Sequence, residues 1–211
     1  MIAGRGRAYG RGGVKRAMDL LASSLAIVAL APLLLLLALL VGCTSRGPIL
    51  FRQERVGLDG RLFRILKFRT MLPGPGLPIT GAGDRRITAV GRWLRRAKLD
   101  ELPQLFNVWR GEMSIVGPRP EVPGYVAAYG REERRVFDVR PGLTDLATLA
   151  YRDEERLLGA VPPEERERYY VTEILPSKLR LNLAYVDGAS LVGDVLLVAR
   201  TLRAIVLPES R

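Results

Sequence analysis

From Leu20 to Thr44 the chain carries no charged residue, and Leu33 to Leu37 is an unbroken leucine run. A stretch of about 20 apolar residues is the length of helix that fills the hydrocarbon core of a bilayer. A cleaved signal peptide fits less well, because the run exceeds an ordinary h-region and no small-residue cleavage site precedes a polar start. A buried helix of a soluble core would be unusually long. The chain is therefore expected to be held at a membrane, and the rest of the fold must be built around that anchor.

Two features argue against a simple span. Pro32 lies near the middle, where it removes the hydrogen bond to the carbonyl of Val28. The flanks are basic on both sides, with Arg5, Arg7, Arg11, Lys15 and Arg16 before and Arg46, Arg52 and Arg55 after. Lys and Arg concentrate in cytoplasmic flanks, so both ends are assigned to the same face. The sequence predicts a re-entrant membrane helix over 15–45 that is broken at Pro32. Residues 1–14 are expected to be a basic, disordered lead that attracts anionic membrane lipid, and 46–211 a catalytic domain.

Composition narrows the chemistry. The 211 residues include 33 Lys and Arg against 22 Asp and Glu, a formal charge of +11, which favours anionic partners. There is no histidine, which excludes a His general base and any His-ligated metal, and the single Cys43 excludes an internal disulfide. A nucleic-acid partner is not expected: the Gly/Arg-rich start lacks repeats and abuts the membrane run.

Beyond the anchor, Ile49 to Val56 and Leu62 to Phe68 read as two strands joined by Gly57-Leu58-Asp59-Gly60, a small β-hairpin. Met71 to Asp84 is rich in Pro and Gly and reads as a loop, expected to act as a flap. Thr88 to Lys98 has helical spacing, and a second helix is predicted from Pro103 to Gly111. Further helical segments are expected around Arg131 to Asp138, over Pro163 to Leu175 and over Ser177 to Val186. The last segment, Ser190 to Val206, lines up Leu191, Val195, Val198, Leu202 and Ile205 on one stripe, either packed on the core or lying in the membrane interface. The fold class is α+β, mostly helical, with interfacial amphipathic helices.

Asp100 and Glu101 fall between the two predicted helices, beside the positive end of the second. Adjacent carboxylates are commonly just solvated. Here Arg92, Arg95 and Arg96 precede them and Arg119 follows between two prolines. Guanidinium groups bind phosphate oxygens through paired hydrogen bonds. A carboxylate in such surroundings can attack phosphorus, or hold a divalent cation, for which Mg²⁺ suits one or two carboxylates plus substrate phosphates. The bland alternative is that the arginines cover acidic lipid and the carboxylates balance them.

Lys67-Phe68-Arg69-Thr70-Met71, Leu99-Asp100-Glu101-Leu102-Pro103-Gln104-Leu105, Asn107-Val108, Gly111-Glu112-Met113-Ser114, Val116-Gly117-Pro118-Arg119-Pro120-Glu121 and Arg140-Pro141-Gly142-Leu143-Thr144 occur in that order. Together they resemble the bacterial sugar transferase family, the monotopic phosphoglycosyl transferases, over about Lys15 to Leu207. The chain is similar to the small form of the family.

The resemblance implies a transferase of the bacterial inner membrane with its catalytic domain on the cytoplasmic face. It would move a sugar 1-phosphate from a UDP-sugar to undecaprenyl phosphate through a covalent aspartyl intermediate, releasing UMP at the first membrane step of surface glycan synthesis. It implies Asp100 as nucleophile, Glu101 as the Mg²⁺-associated residue with Asp100 beside it, Arg119 and Arg95 near the phosphates, and Lys67 and Arg69 in the Lys-Phe-Arg motif at the substrate. A homodimer formed partly by the C-terminal helices is a further expectation. The alternative from another class is a catalytically inactive, membrane-anchored scaffold of a glycan-assembly complex. Ala31 before Pro32, Asp145 and Thr148 depart from the family pattern, which commonly has Ser, Gly and Gln there.

Overall fold

The computed structural model describes residues 3–72 and 84–207. Most of the loop expected over Met71 to Asp84, and with it the flap, lies outside the described residues. In chain order the helices are α1 (Ala3–Arg11), α2 (Gly13–Thr44), α3 (Ala89–Arg96), α4 (Gln104–Arg110), α5 (Pro123–Val126), α6 (Leu146–Ala150), α7 (Glu154–Gly159), α8 (Arg166–Tyr169), α9 (Leu175–Gly188) and α10 (Leu191–Val206). The strands are β1 (Leu50–Val56), β2 (Leu62–Phe68), β3 (Ser114–Val116) and β4 (Gly142–Thr144). The chain is thus mostly helical with a little sheet, the α+β class that its patterning predicts.

Two expectations about the N-terminal third are corrected. The lead is not disordered: α1 packs along α9, with Gly6 so close that a Cβ there would collide with the carbonyls of Val186 and Asp187, and Gly10 2.5 Å, on the same terms, from Val139 Cγ1. Glycines four apart cost helix propensity, but they let two backbones approach, and here tertiary contact decides. Pro32 does not interrupt the helix, since α2 is one helix of 32 residues with Pro32 inside it. A proline removes one backbone bond and crowds the preceding turn, which bends a helix more readily than it ends one when long apolar segments on either side keep their own bonds.

Both ends of α2 return to the globular body. Near its start, Arg16 donates to the carbonyls of Val108 (2.7 Å) and Trp109 (2.8 Å) at the end of α4. Lys15, buried, reaches Asp194 of α10 at 2.8 Å and Asp19 at 3.0 Å, while Asp19 accepts from Ser114 Oγ and from the Ile115 backbone N–H on β3. Near its end, Leu37 and Val41 pack with Phe68 of β2 and Leu94 of α3. Between these anchorages the helix is bare: Leu21, Leu25, Val28, Leu35, Leu36 and Leu39 are all more than half exposed. Among the described residues, α2 is the one helix long and apolar enough to cross a membrane.

The hairpin β1–β2 is antiparallel, with Leu50 opposite Phe68 and Val56 opposite Leu62. Asn107, fully buried on α4, pins that helix to the hairpin. Its Oδ1 accepts from Leu66 N–H (3.0 Å), and its Nδ2 donates to Arg64 O (2.8 Å) and to Glu112 (2.7 Å). Ile65, Val108 and Met113 close the space between them.

β3 and β4 pair in parallel, and Gly117, just past β3, touches Gly142, the first residue of β4, backbone to backbone. A Cβ on Gly117 would collide with Arg140 O, and one on Gly142 with Gly117 itself, so the glycines of both motifs serve one close crossing. A larger apolar core, with Tyr129, Leu158, Tyr170, Ile174 and Leu179 among its members, lies under α5, α7 and α9.

α10 turns its less apolar side inward. Asp194 and Leu197 are buried, and Thr201 meets Thr144 of β4 at 2.7 Å. Of the predicted stripe only Val198 packs on the core, whereas Leu191, Val195, Leu202 and Ile205 are exposed together with Val192 and Leu196. Core packing by the stripe is excluded. An outward apolar face of this kind needs a cover other than water.

Candidate active site

The turn between α3 and α4 is where the chemistry converges. Lys98 adopts a left-handed backbone (φ 56°) that ends α3 and starts a short 3₁₀ turn over Leu99–Glu101. Leu99 and Leu102 insert into the cluster around Leu37 and Phe68, which fixes the two residues between them. Asp100 and Glu101 therefore sit on a turn held to the end of α2, to β2 and to α4.

Their environments differ. Glu101 is clamped by two cations: Lys67 Nζ donates to Oε1 at 2.9 Å, and Arg119 donates to Oε2 through Nη1 at 3.2 Å and to Oε1 through Nη2. Burial alone would push Glu101 up, but the charges of Arg119 and Lys67 and their hydrogen bonds outweigh it and hold the carboxyl well below the usual range. Lys67, half-buried on β2, is itself pushed down by desolvation, partly offset by Glu101. Arg119 is pushed up by Glu101.

Asp100 is 8% exposed, and among the described residues its carboxylate has no hydrogen-bond or ion-pair partner. Burial, and then the charge of Glu101, raise it above the ordinary aspartate value; Lys67, Arg95 and Lys98 pull the other way. One member of the acidic pair is held as an anion by two cations, and the other is left as a desolvated carboxyl with no partner among the described residues.

Arg119 owes its position to a residue that the sequence marks only as a departure. The buried Asp145 carboxylate accepts from Arg119 N–H at 2.9 Å through Oδ2, and through Oδ1 it caps α6 by accepting from Thr148 N–H. An Asp followed by a short helix is a capping signal in its own right, but its grip on Arg119 joins residues 26 apart and has no local signature.

Of the other predicted residues, Arg95 lies close enough to act on Asp100 electrostatically, yet its guanidinium is engaged by Glu155 at 2.8 Å (Nε) and by Met71 Sδ at 3.3 Å. Arg69 is not brought to the site. It turns back to the end of α2, donating to Ser45 O, Ser45 Oγ, Pro48 O and Val41 O, because helix ends leave carbonyls without donors and a buried guanidinium can serve several at once. Pro32 lies inside α2, which continues on both sides of it.

Fold and site together define a membrane-associated protein whose carboxylate pair and phosphate-complementary cations are set at the foot of an apolar helix. The model of the family described as bacterial sugar transferase matches residues 10–208, and the chain belongs to that family. It is 40% identical over 202 residues to a UDP-glucose:undecaprenyl-phosphate glucose-1-phosphate transferase of Caulobacter vibrioides, covering 93% of this chain and 71% of the relative. It is 48% identical over 199 residues to an undecaprenyl-phosphate glucose phosphotransferase of Komagataeibacter xylinus, covering 90% and 35%. Identity is 34% over 215 residues with the exopolysaccharide production protein ExoY of Sinorhizobium fredii, covering 93% and 87%. The chain thus spans about a third of the Komagataeibacter protein and most of the other two.

Proposed function

We propose that the chain transfers a sugar 1-phosphate from a UDP-sugar to undecaprenyl phosphate, using Asp100 as a covalent nucleophile. The observation that carries this is the contrast within the acidic pair: Asp100 is buried and without a partner among the described residues, while Glu101 beside it is held by Lys67 and Arg119. The names of the relatives support the two substrates: the Caulobacter protein's names UDP-glucose and undecaprenyl phosphate, and the Komagataeibacter protein's undecaprenyl phosphate.

In the first step an Asp100 oxygen attacks the β-phosphorus of the donor. The bond from that phosphorus to the bridging oxygen breaks, and UMP leaves with the electron pair. In the second, an oxygen of the lipid phosphate attacks the same phosphorus, the aspartyl oxygen departs, and the carboxylate is restored with a lipid diphosphate sugar as product. Lys67 and Arg119 offset the charge of the oxygens on the reacting phosphorus, and Asp145 keeps Arg119 in place. Glu101 accepts three cation hydrogen bonds of about four that a carboxylate can take, and Asp100 is open, so the pair suits a hard ion whose shell the substrate's phosphates complete. Mg²⁺ held there would supply further neutralisation of the diphosphate charge.

The membrane placement follows the same reading. Both ends of α2 rest on the catalytic body, its flanks are basic, and exposed Trp93, Phe106 and Trp109 on α3 and α4 have the character of interfacial anchors. The catalytic domain is assigned to the cytoplasmic face of the inner membrane, with anionic lipid around the basic flanks. Cysteines placed at Gly13 and Arg46 in a Cys43→Ser background are expected to label from one side only; opposite accessibility overturns the topology. For the activity, UMP release is measured with a panel of UDP-sugars, undecaprenyl phosphate and Mg²⁺. One donor is expected to turn over and the Asp100→Asn variant to be inert, and turnover by that variant refutes the nucleophile.

A further inference from the structure

Arg95 stands on α3 just ahead of Asp100, and its charge acts on the Asp100 carboxyl. Yet its fork is occupied by the protein itself: Nε and Nη2 both donate to Oε1 of Glu155, at 2.8 and 2.5 Å, across 60 residues of chain. The Glu155 side chain is 43% exposed, that of Arg95 17%. The preceding residue on α7, Glu154, is tied down by the buried Lys178 at 2.7 Å, whose ammonium in turn lies 5.2 Å from the centre of the Tyr170 ring. α7 is thus anchored through Glu154, while Glu155 reaches from its exposed side to cover the guanidinium.

The Nε and Nη2 donors that Glu155 occupies are an edge of the guanidinium fork, and the same edge can pair with two oxygens of a phosphate. Because Glu155 is partly in water already, releasing Arg95 costs it little. The Glu154–Lys178 tether keeps α7 in place when that happens. We propose that Glu155 is a built-in competitor for the nucleotide phosphate. It holds Arg95 in the substrate-free protein, yields it to the diphosphate of the donor, and takes it back as UMP leaves. Glu155 acts through Arg95 and is a positioning residue, one that sets how tightly nucleoside phosphates are held. The inference rests on the donor being a nucleoside diphosphate sugar, as proposed above.

The test is UMP affinity, measured calorimetrically on the full chain in detergent micelles for the unsubstituted protein, Glu155→Gln, Glu155→Asp, Arg95→Gln and the double variant Arg95→Gln/Glu155→Gln. Glu155→Gln is expected to bind UMP about two- to fivefold more tightly, the range that a partly exposed ion pair is worth, and to lower KM for the donor with no rise in kcat. Glu155→Asp, which keeps the charge, stays near the parent. In the Arg95→Gln background the Glu155→Gln gain disappears, because the competitor has nothing left to cover. Unchanged or weaker UMP binding by Glu155→Gln overturns the competition, as does an equal gain in both backgrounds, which marks a general charge effect. Absence of UMP binding by the parent and every variant overturns the nucleotide donor itself, and the competitor with it.

Discussion

Replacing Arg69 separates two roles that its motif leaves open. A phosphate-binding Arg69 would be lost as substrate affinity; the structure makes it a clasp on the end of α2. The side chain is 7% exposed, and its guanidinium donates to Ser45 Oγ at 2.7 Å, to Ser45 O at 2.5 Å, to Pro48 O, and at longer range to Val41 O at 3.4 Å. A hydrogen bond to a charged group contributes about 1.5–3 kcal/mol, and bonds sharing one group do not add. The alanine variant is therefore expected to lose roughly 3–4 kcal/mol, with buried carbonyls left short of donors. For a chain of this size each kcal/mol moves Tm by about 2–4 °C, so a fall of about 10 °C is expected. Arg69→Lys, which keeps one donor cluster but not the fork, should fall between. Thermal unfolding in detergent micelles reads the stability, and KM for the UDP-sugar below the transition reads the site. A tenfold rise in KM at unchanged Tm would refute the clasp and return Arg69 to the substrate.

Three further outcomes follow from the same structure. Asp100 is raised by burial and by Glu101, so its contribution to stability is present below the ordinary aspartate value near 3.9 and lost as pH rises through the raised one; Asp100→Asn should unfold at a higher temperature than the parent at pH 7, with the gap closing in acid, and an equal or lower Tm at pH 7 contradicts the assignment. Lys15→Met strips the cation from buried Asp19 and Asp194 and is expected to cost about 3–5 kcal/mol, seen as faster proteolysis in the native state, whereas Asp194→Asn should cost less because Lys15 keeps Asp19. Asp145→Ala removes the cap of α6 and the acceptor for Arg119 N–H, about 1–2 kcal/mol of stability, and should lower kcat/KM more than the mild Tm loss accounts for; a change confined to Tm shows that Arg119 holds its place without it.

Local features were legible because local physics decides them. The hairpin ends where Gly57 to Gly60 place left-handed residues, and α4 runs from Pro103 to the left-handed Gly111. Asp100, Glu101, Lys67 and Arg119 come together as the motifs imply. What was not legible depends on distant partners. The helix of residues 3–11 exists because Gly6 and Gly10 meet α9 and Val139, contacts that composition alone reads as flexibility. Lys67 near the end of β2 and Arg69 just past it stand two apart, yet one serves Glu101 and the other the helix end, a choice made by what each meets there. The stripe on α10 was visible, but the side that packs was set by Asp194 and its partners Lys15, Tyr9 and Tyr185. Pro32 was legible as an irregularity, but helical structure continues through it, and the return of both ends of α2 to the body depends on partners on α4, β2 and α3.

The central claim is that Asp100 becomes covalently bonded to the transferred phosphosugar. Incubating the full chain with its UDP-sugar and Mg²⁺ but no lipid phosphate, quenching, and reading the intact mass tests it directly. The expected result is a gain equal to one sugar phosphate, mapped to the peptide containing Asp100, discharged by undecaprenyl phosphate and absent from Asp100→Asn. Full turnover to lipid diphosphate sugar with no such adduct, or an adduct on any other residue, would contradict it.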